Sequence, residues 1–472
     1  MQYGRQEILT DVEEITEENI RKVVSEALEI HRKNQADIKK LRDIERGNQD
    51  ILNRIKEIRP EINNKVVENH ASEVTAFKVG YVFGSPITYV QRANKDIAGN
   101  DSNIDDARIS LLNEMLFEES KASKDQQLAR DFSITGVGYR IALPKVAKNG
   151  SSVFDLLTLN PETTFVVKRN DIYKKTILGC SYSVTSDKKI KVGAYTDNLY
   201  FELEGIEGAT DVKVVKTEVN RIGVQPIIQY VNDYDRMGCF ERALTLIDAI
   251  NNATSDRINA IEQFVQAFIW MNNCLISEED FNELRAQGGL CTSDMDGRPA
   301  SVQYLIGELN QADTQTVIDD LYDKILQICC VPGREASTGG NTGQAILLSN
   351  GWQLAETSAK NAELVFCNSE RELLNVILAI LKKNTTSVSF EGFNSSDIDI
   401  KFTRNRTDGL IVKTQSLQGM LQAGIHPLKA LEVCGLFSDP QQAWNDSKPY
   451  MNKWLFELEE TNNGENTIPE DI

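Results

Sequence analysis

No stretch of this sequence is apolar for long enough to span a bilayer, which takes roughly 18 residues with few or no charges. The best run, Leu373 to Leu381, is broken by Asn375. The opening MQYGRQEILTDVEE has no basic stretch followed by an apolar one, so no signal peptide is expected, and synthesis in a cytoplasm is the default. Histidine is scarce, with only His31, His70 and His426. The 8 cysteines form no C-x-x-C pair, Cys329 and Cys330 being adjacent, and none has a histidine nearby. Reduced, buried thiols are expected rather than a zinc site. The acidic clusters Asp319-Asp320 and Glu278-Glu279-Asp280 follow neither an EF-hand nor a carboxylate–histidine pattern. Solvated helix faces account for them, and no metal or cofactor is expected. G-x-S-x-G and H-E-x-x-H are both missing, so no catalytic residue stands out and an enzyme is not expected. Positive charge is in deficit as well. Lys and Arg number 51 against 70 Asp and Glu, a formal net charge of −19. Proteins that grip nucleic acid carry a basic footprint. A DNA clamp is thus disfavoured, whereas a conduit tolerates a surface that repels phosphate.

What remains is a folded-protein composition, 41% hydrophobic and 26% charged, over 472 residues, enough for two to four folding units. Residues 16–46 read as a helix: Ile20, Val23, Val24, Ala27, Leu28, Ile38, Leu41 and Ile44 recur at helical spacing, and Gly47 stops it. Residues 62–79 look helical again, up to Gly80, as do 103–130. Strand-like runs follow at 138–143, 154–159, 164–168, 176–184, 189–195, 199–203 and 212–218, punctuated by Gly, Asn and Asp. This makes an α+β fold with an antiparallel sheet. The polar, acidic residues 459–472 are expected to be disordered.

The stretch 236–268 predicts an unusually long helix. Phe240, Leu244, Ile247, Ile258, Ile261, Val265 and Phe268 mark one face, with Asn251 and Thr254 in its middle. Such a narrow seam suits packing between neighbouring rods more than a globular core. A small insertion, 269–311, separates it from a second helix near Asp313, whose face is marked by Val317, Leu321, Ile325 and Ile328. Spacing alone also fits two core helices of a bundle; the insertion favours a hairpin with a knob at its tip. Val331-Pro332-Gly333 ends the second helix, and 334–343 is rich in Gly, Ser and Thr. GREASTGGNTGQ (Gly333 to Gln344) is no phosphate loop, because no lysine follows its glycines and no strand precedes it. It reads either as a flexible connector or as a mobile polar loop in a channel. A helix at 344–383, a strand at 397–403 and a helical region to about 460 complete the expectation.

Several segments together carry a resemblance. They are GRQEIL from Gly4, NNKVVENHASEVTAFKVGYVFGSPITY from Asn63, DFSITGVGYRIAL from Asp131, GVQPIIQYVND from Gly223, LIDAINNATSDRINAIEQF from Leu246, TGGNTGQAI from Thr338 and IKFTRN from Ile400. With these, the chain resembles the portal proteins of tailed bacteriophages, of the type found in a long-tailed Bacillus phage. The resemblance implies a portal fold: an α/β wing (1–235), a stem of two helices (236–268 and 313–333) and a small α/β clip (269–312). Residues 334–404 would hold the tunnel loop, a long helix and a returning wing strand, and 405–472 a helical crown with an acidic tail.

It also implies a homo-oligomeric ring, normally a dodecamer, at one capsid vertex of the virion, through which double-stranded DNA is packaged and ejected. The partners implied are terminase, major capsid and scaffold proteins, and later head-completion or tail adaptor proteins, with no membrane. The tunnel-loop candidates are Ser337, Thr338, Gly339, Gly340, Asn341, Thr342, Gly343 and Gln344. The stem-packing candidates are Phe240, Leu244, Ile247, Ile258, Ile261, Val265, Val317, Leu321 and Ile325. The rivals are the packaging ATPase, disfavoured by the missing Walker loop, and a ring-forming virion protein without a DNA channel.

Overall fold

All seven strand runs expected between 138 and 218 are present in the computed structural model, with ends shifted by no more than a few residues. The structure describes residues 3–57, 59–92, 102–145, 152–265, 268–272, 299, 301–305, 311–333, 351–384, 388–403, 410–437, 442–447 and 450. These fall into two units: one of residues 1–42, 74–241 and 352–472, the other of 43–73 and 242–351.

The first unit holds a six-stranded sheet. Strand β1 (Leu9–Thr10) pairs in parallel with β5 (Thr164–Arg169), and β6 (Thr176–Val184), β7 (Lys189–Tyr195), β8 (Leu199–Ile206) and β9 (Val212–Val219) follow antiparallel in sequence order. The parallel β1 adds to the antiparallel sheet expected. Alternation along β7, with Ile190, Val192 and Ala194 buried and Lys189 and Lys191 exposed, gives the sheet one apolar face. Helix α1 (Ile20–Glu45) covers that face: Ile20, Val23, Val24, Ala27 and Leu28 pack with Phe165, Leu178, Val192, Phe201 and Leu203. His31, next along the helix, lies against Phe165 with its Nε2 3.0 Å from the Glu162 carbonyl oxygen. Burial pushes its pKa down to about 4, so it packs as a neutral ring.

A second sheet orders β10 (Ile227–Val231), β3 (Val137–Pro144) and β4 (Phe154–Leu159). Above it lie α3 (Ser102–Glu118) and α4 (Lys121–Thr135), two helices where the spacing predicts one. The break falls at Ser120, which adopts φ 51°. Gly136 ends α4 at φ 84°, and a Cβ there would stand 2.0 Å from the Arg236 carbonyl oxygen, so only glycine fits. Helix α7 (Trp352–Lys383) buries Leu373, Leu374, Ile377, Leu378, Ile380 and Leu381 in the same core. A two-stranded pair, β2 (Thr88–Gln91) with β13 (Ile398–Lys401), and the short helices α8 (Leu410–Gln422) and α9 (Pro427–Cys434) complete the unit. Among the described residues, Cys180, Cys329 and Cys434 are buried thiols, while Cys239, Cys330 and Cys367 are half-buried.

The N-terminal GRQE segment is tied to the residues just ahead of α5 (Leu244–Val265). Arg5 Nη2 stands 2.6 Å from Glu241 Oε1, both side chains being wholly enclosed. Gly4 N–H donates to the same carboxylate oxygen at 2.9 Å and Gly238 N–H to the other at 2.7 Å. Gly4 is required at φ 74°, because a Cβ would lie 2.2 Å from the Asp235 carbonyl oxygen.

The second unit contains α5, α6 (Gln311–Ile328) and, between them, the antiparallel pair β11 (Phe268–Asn272) and β12 (Ser301–Leu305). α5 is shorter than the expected 236–268, because 241–243 forms a 3-10 turn. Helix α2 (His70–Phe83) corrects the expectation of a helix from 62: residues 63–69 form neither helix nor strand.

Candidate functional site

The reason for that correction lies on α5. Asn64 N–H donates to Asn259 Oδ1 at 2.7 Å, Val66 N–H to Ser255 Oγ at 2.9 Å, and Glu68 N–H to Asn251 Oδ1 at 2.8 Å. Acceptors four residues apart on a helix meet donors two residues apart on an extended strap. The side chains of Asn251, Ser255 and Asn259 are buried to within a few per cent. Of the two polar residues read into the α5 seam, Asn251 is thus a partner of this chain's own backbone, which must find acceptors when withdrawn from water, whereas Thr254 Oγ1 donates to the Glu68 carboxylate. Arg54 and Lys56, in the preceding part of the strap, reach Asp256 at 2.9 and 3.5 Å. Glu262 accepts from Asn64 Nδ2 at 2.6 Å.

α6 meets a different face of α5. Gln315 bonds Arg257, and a cleft of about 400 Å³ between the helices is lined by Thr254, Ile258, Ile318 and Tyr322, with Glu68, His70 and Glu73 at one end. There the His70 ring lies against Tyr322, and Tyr322 Oη donates to Glu73 Oε1 at 2.7 Å. The buried face of α6 is Ile318, Ile325 and Leu326, followed by buried Cys329 just past its end. The 317/321/325/328 face read from the sequence thus straddles two stripes.

Of the stem-packing candidates, Phe240, Ile247 and Ile325 are buried within the chain, and Leu244 and Leu321 are half-buried. Ile258, Ile261 and Val317 are exposed by 38%, 44% and 56%, which leaves them without a full covering in one copy. The Val265 side chain and the tunnel-loop candidates Ser337 to Gln344 lie outside the described residues, as does most of the 269–311 insertion. Helix α7 begins at Trp352, whose ring packs against Phe77 and Tyr81. Tyr81 Oη donates to Glu356 at 2.9 Å and Lys78 Nζ to Ser358 Oγ at 2.8 Å.

The sequence reading missed a buried charge cluster in the first unit. Glu370 on α7 lies 3.0 Å from Lys121 Nζ and accepts hydrogen bonds from Tyr89 Oη (2.5 Å) and Tyr230 Oη (2.7 Å). Lys121 also binds Asp125, whose Oδ1 is 2.7 Å from Arg140 Nη1. Arg140 is fully buried with its guanidinium over the Tyr230 ring. Burial drives the Glu370 carboxyl upward, but Lys121, Arg140 and the two tyrosines outweigh it and hold the pKa below its ordinary value. Burial, and after it the charge of Glu370, raises both tyrosines, so they remain protonated donors. Two cations balance two carboxylates, and both Glu370 oxygens are engaged; the arrangement suits anchoring of α7. Its available signal was Arg140 itself, a charge inside the apolar strand GVGYRIAL.

Among the described residues, no group of three His, Cys, Asp or Glu is placed to hold a metal ion, and no helix is long and apolar enough to cross a membrane. No curated protein matches the chain. The family described as "Phage portal protein, SPP1 Gp6-like" matches residues 25–462. That match takes in most of α1, strands β5 to β9, the buried charge cluster and the paired helices α5 and α6, and the chain belongs to the SPP1 Gp6-like family of phage portal proteins.

Proposed function

We propose that this chain is one subunit of a dodecameric ring at a single capsid vertex, assembled in the host cytoplasm, and that the ring is the channel for packaging and ejecting double-stranded DNA. The family match over 25–462 carries the reading. The exposed Ile258, Ile261 and Val317 support side-by-side subunits, and the net charge of −19 suits a duct in which phosphates must slide. In this reading 1–235 is wing, α5 and α6 are stem, 269–312 is clip, 334–404 carries the tunnel loop, long helix and returning wing strand, and 405–472 is crown and tail. The chain hydrolyses no nucleotide. Terminase docks at the clip and drives DNA inward, and head-completion or tail adaptor proteins later replace it. Electron microscopy of the purified protein tests this. The expected image is a closed ring with a central hole wide enough for a duplex. A ring without such a hole would favour a virion structural protein with no DNA path, and particles that remain monomeric at all concentrations would defeat both.

Ser337 to Gln344 is proposed to touch passing DNA. Gly339, Gly340 and Gly343 give the backbone freedom to follow a helical duplex, and uncharged side chains contact phosphates without retaining them. Replacing Asn341 and Thr342 with lysine is expected to leave assembly intact and to slow packaging, more so at low salt. Packaging at the wild-type rate and salt dependence would take the loop out of the DNA path.

A further inference from the structure

A cavity of about 1130 Å³ opens in the first unit, between β2, the α3–α4 junction and the residues that follow α9. Its apolar lining includes Ile87, Leu116, Phe117, Phe437 and Ala443. Phe117 is 86% and Phe437 52% exposed, two aromatic rings left without a cover. Lys121 is the cation of the lining, and it is already committed to Asp125 and Glu370, so an anionic ligand finds no free partner there. The volume also exceeds the roughly 300–1,000 Å³ that suits a small ligand. The helical residues 442–447 form one wall, and at Ser447 the chain leaves the cavity with 25 residues still to run, 448–472. Soon after that exit come Met451, Trp454, Leu455 and Leu458, spaced as one face of a helix, with Lys453, Glu457 and Glu459 off that face. Past Leu458 the apolar spacing stops: residues 459–472 carry five acids and no basic residue.

We propose that the occupant of this cavity is segment 451–458 of the same chain, docked as a short amphipathic helix with Trp454 and Leu455 against Phe117 and Phe437. Reach carries the choice. Trp454 lies seven residues beyond the cavity wall at Ser447, a span of about 10 Å as helix and at most about 25 Å fully extended. The apolar face therefore cannot leave the neighbourhood of the cavity. So short a tether also holds the segment at an effective concentration on the order of millimolar, which a second copy must exceed to take its place. An exposed face of Trp and Leu and an open cavity lined by Phe each lose contact with water when they meet.

The test places a thiol in the cavity with Phe117→Cys and follows its reaction with a maleimide, read at that position by peptide mass spectrometry so that the native cysteines do not interfere. Labelling is expected to be at least tenfold faster in a chain that ends at Tyr450 than in the full chain, and unchanged in a chain that ends at Leu458. Because truncation could loosen the neighbouring helix, the full-length Phe117→Cys chain carrying Trp454→Asp and Leu455→Asp is measured as well, and the same acceleration is expected; a slow rate there overturns the proposal. Equally fast labelling in all chains would mean an open cavity, and equally slow labelling a different occupant; either overturns it. Acceleration on ending at Leu458 would transfer the role to the acidic residues beyond and overturn it too. Oxidation of the full chain carrying Phe117→Cys with Leu455→Cys is expected to give a disulfide within one chain, with monomer mobility on a denaturing gel. Covalent dimers from that pair, and not from either single variant, would assign the cavity to a second copy and overturn the proposal.

Discussion

Replacing Glu370 with glutamine is expected to destabilise the first unit by about 3–5 kcal/mol, the usual cost of breaking a buried ion pair by removing one partner. The side chain keeps its shape and volume, so the loss is electrostatic. Lys121 and Arg140 are left with Asp125 as the carboxylate of the cluster, an uncompensated positive charge where the side chains are 5% exposed or less. Urea unfolding at fixed protein concentration should show a lower midpoint with an unchanged slope. Adding Lys121→Met restores neutrality, and the double variant is expected to recover a large part of the loss, a non-additivity that belongs to residues sharing one network. A single variant within about 0.5 kcal/mol of wild type, the range of ordinary surface substitutions, would mean that water reaches the cluster.

The second large effect is expected on α5. Changing Asn251, Ser255 and Asn259 together to alanine removes the acceptors of three backbone N–H groups, at Asn64, Val66 and Glu68. Leaving a buried donor unsatisfied costs roughly 1–3 kcal/mol. These donors are half-buried, so the lower end applies and the sum is about 3 kcal/mol. Hydrogen exchange gives the more specific readout: protection of amides 64, 66 and 68 should fall while that of the α5 backbone remains. Asn251→Asp retains the acceptor for Glu68 N–H and should keep that amide protected. Unchanged protection in the triple variant would show that the strap is held by something other than these side chains.

The parts of the fold legible in the sequence are those where burial follows one period. β7 alternates buried residues with exposed or half-buried ones, and Ile20 to Leu28 repeat at helical spacing because an apolar sheet face receives them. The paired helices and the knob between them were legible in order, and the family could be recognised from short segments spread along the chain. The strap was not. Spacing in threes and fours reports that a helix face is covered, not what covers it, and Asn251, Ser255 and Asn259 are covered by backbone. The same blindness made 63–69 look helical, since its own residues carry no signal that their N–H groups are taken elsewhere. The break between α3 and α4 has neither glycine nor proline to announce it, only Ser120 in a left-handed conformation. The charge cluster gathers residues from 89, 121, 125, 140, 230 and 370, a sequence distance over which no local pattern speaks.

The strap and α5 also behave as a vernier. Two extended residues advance about 6.6 Å, whereas four helical residues advance about 6 Å. Each rung therefore slips by roughly half an ångström against the next, and three rungs accumulate about 1 Å, close to the tolerance of a hydrogen bond. A fourth rung would fall outside it. The ladder ends at Glu68, beyond which the chain turns into α2 at His70. Inserting or deleting one residue between 64 and 68 would turn alternate N–H groups away from the helix, so length variation in this region should be confined to 47–61.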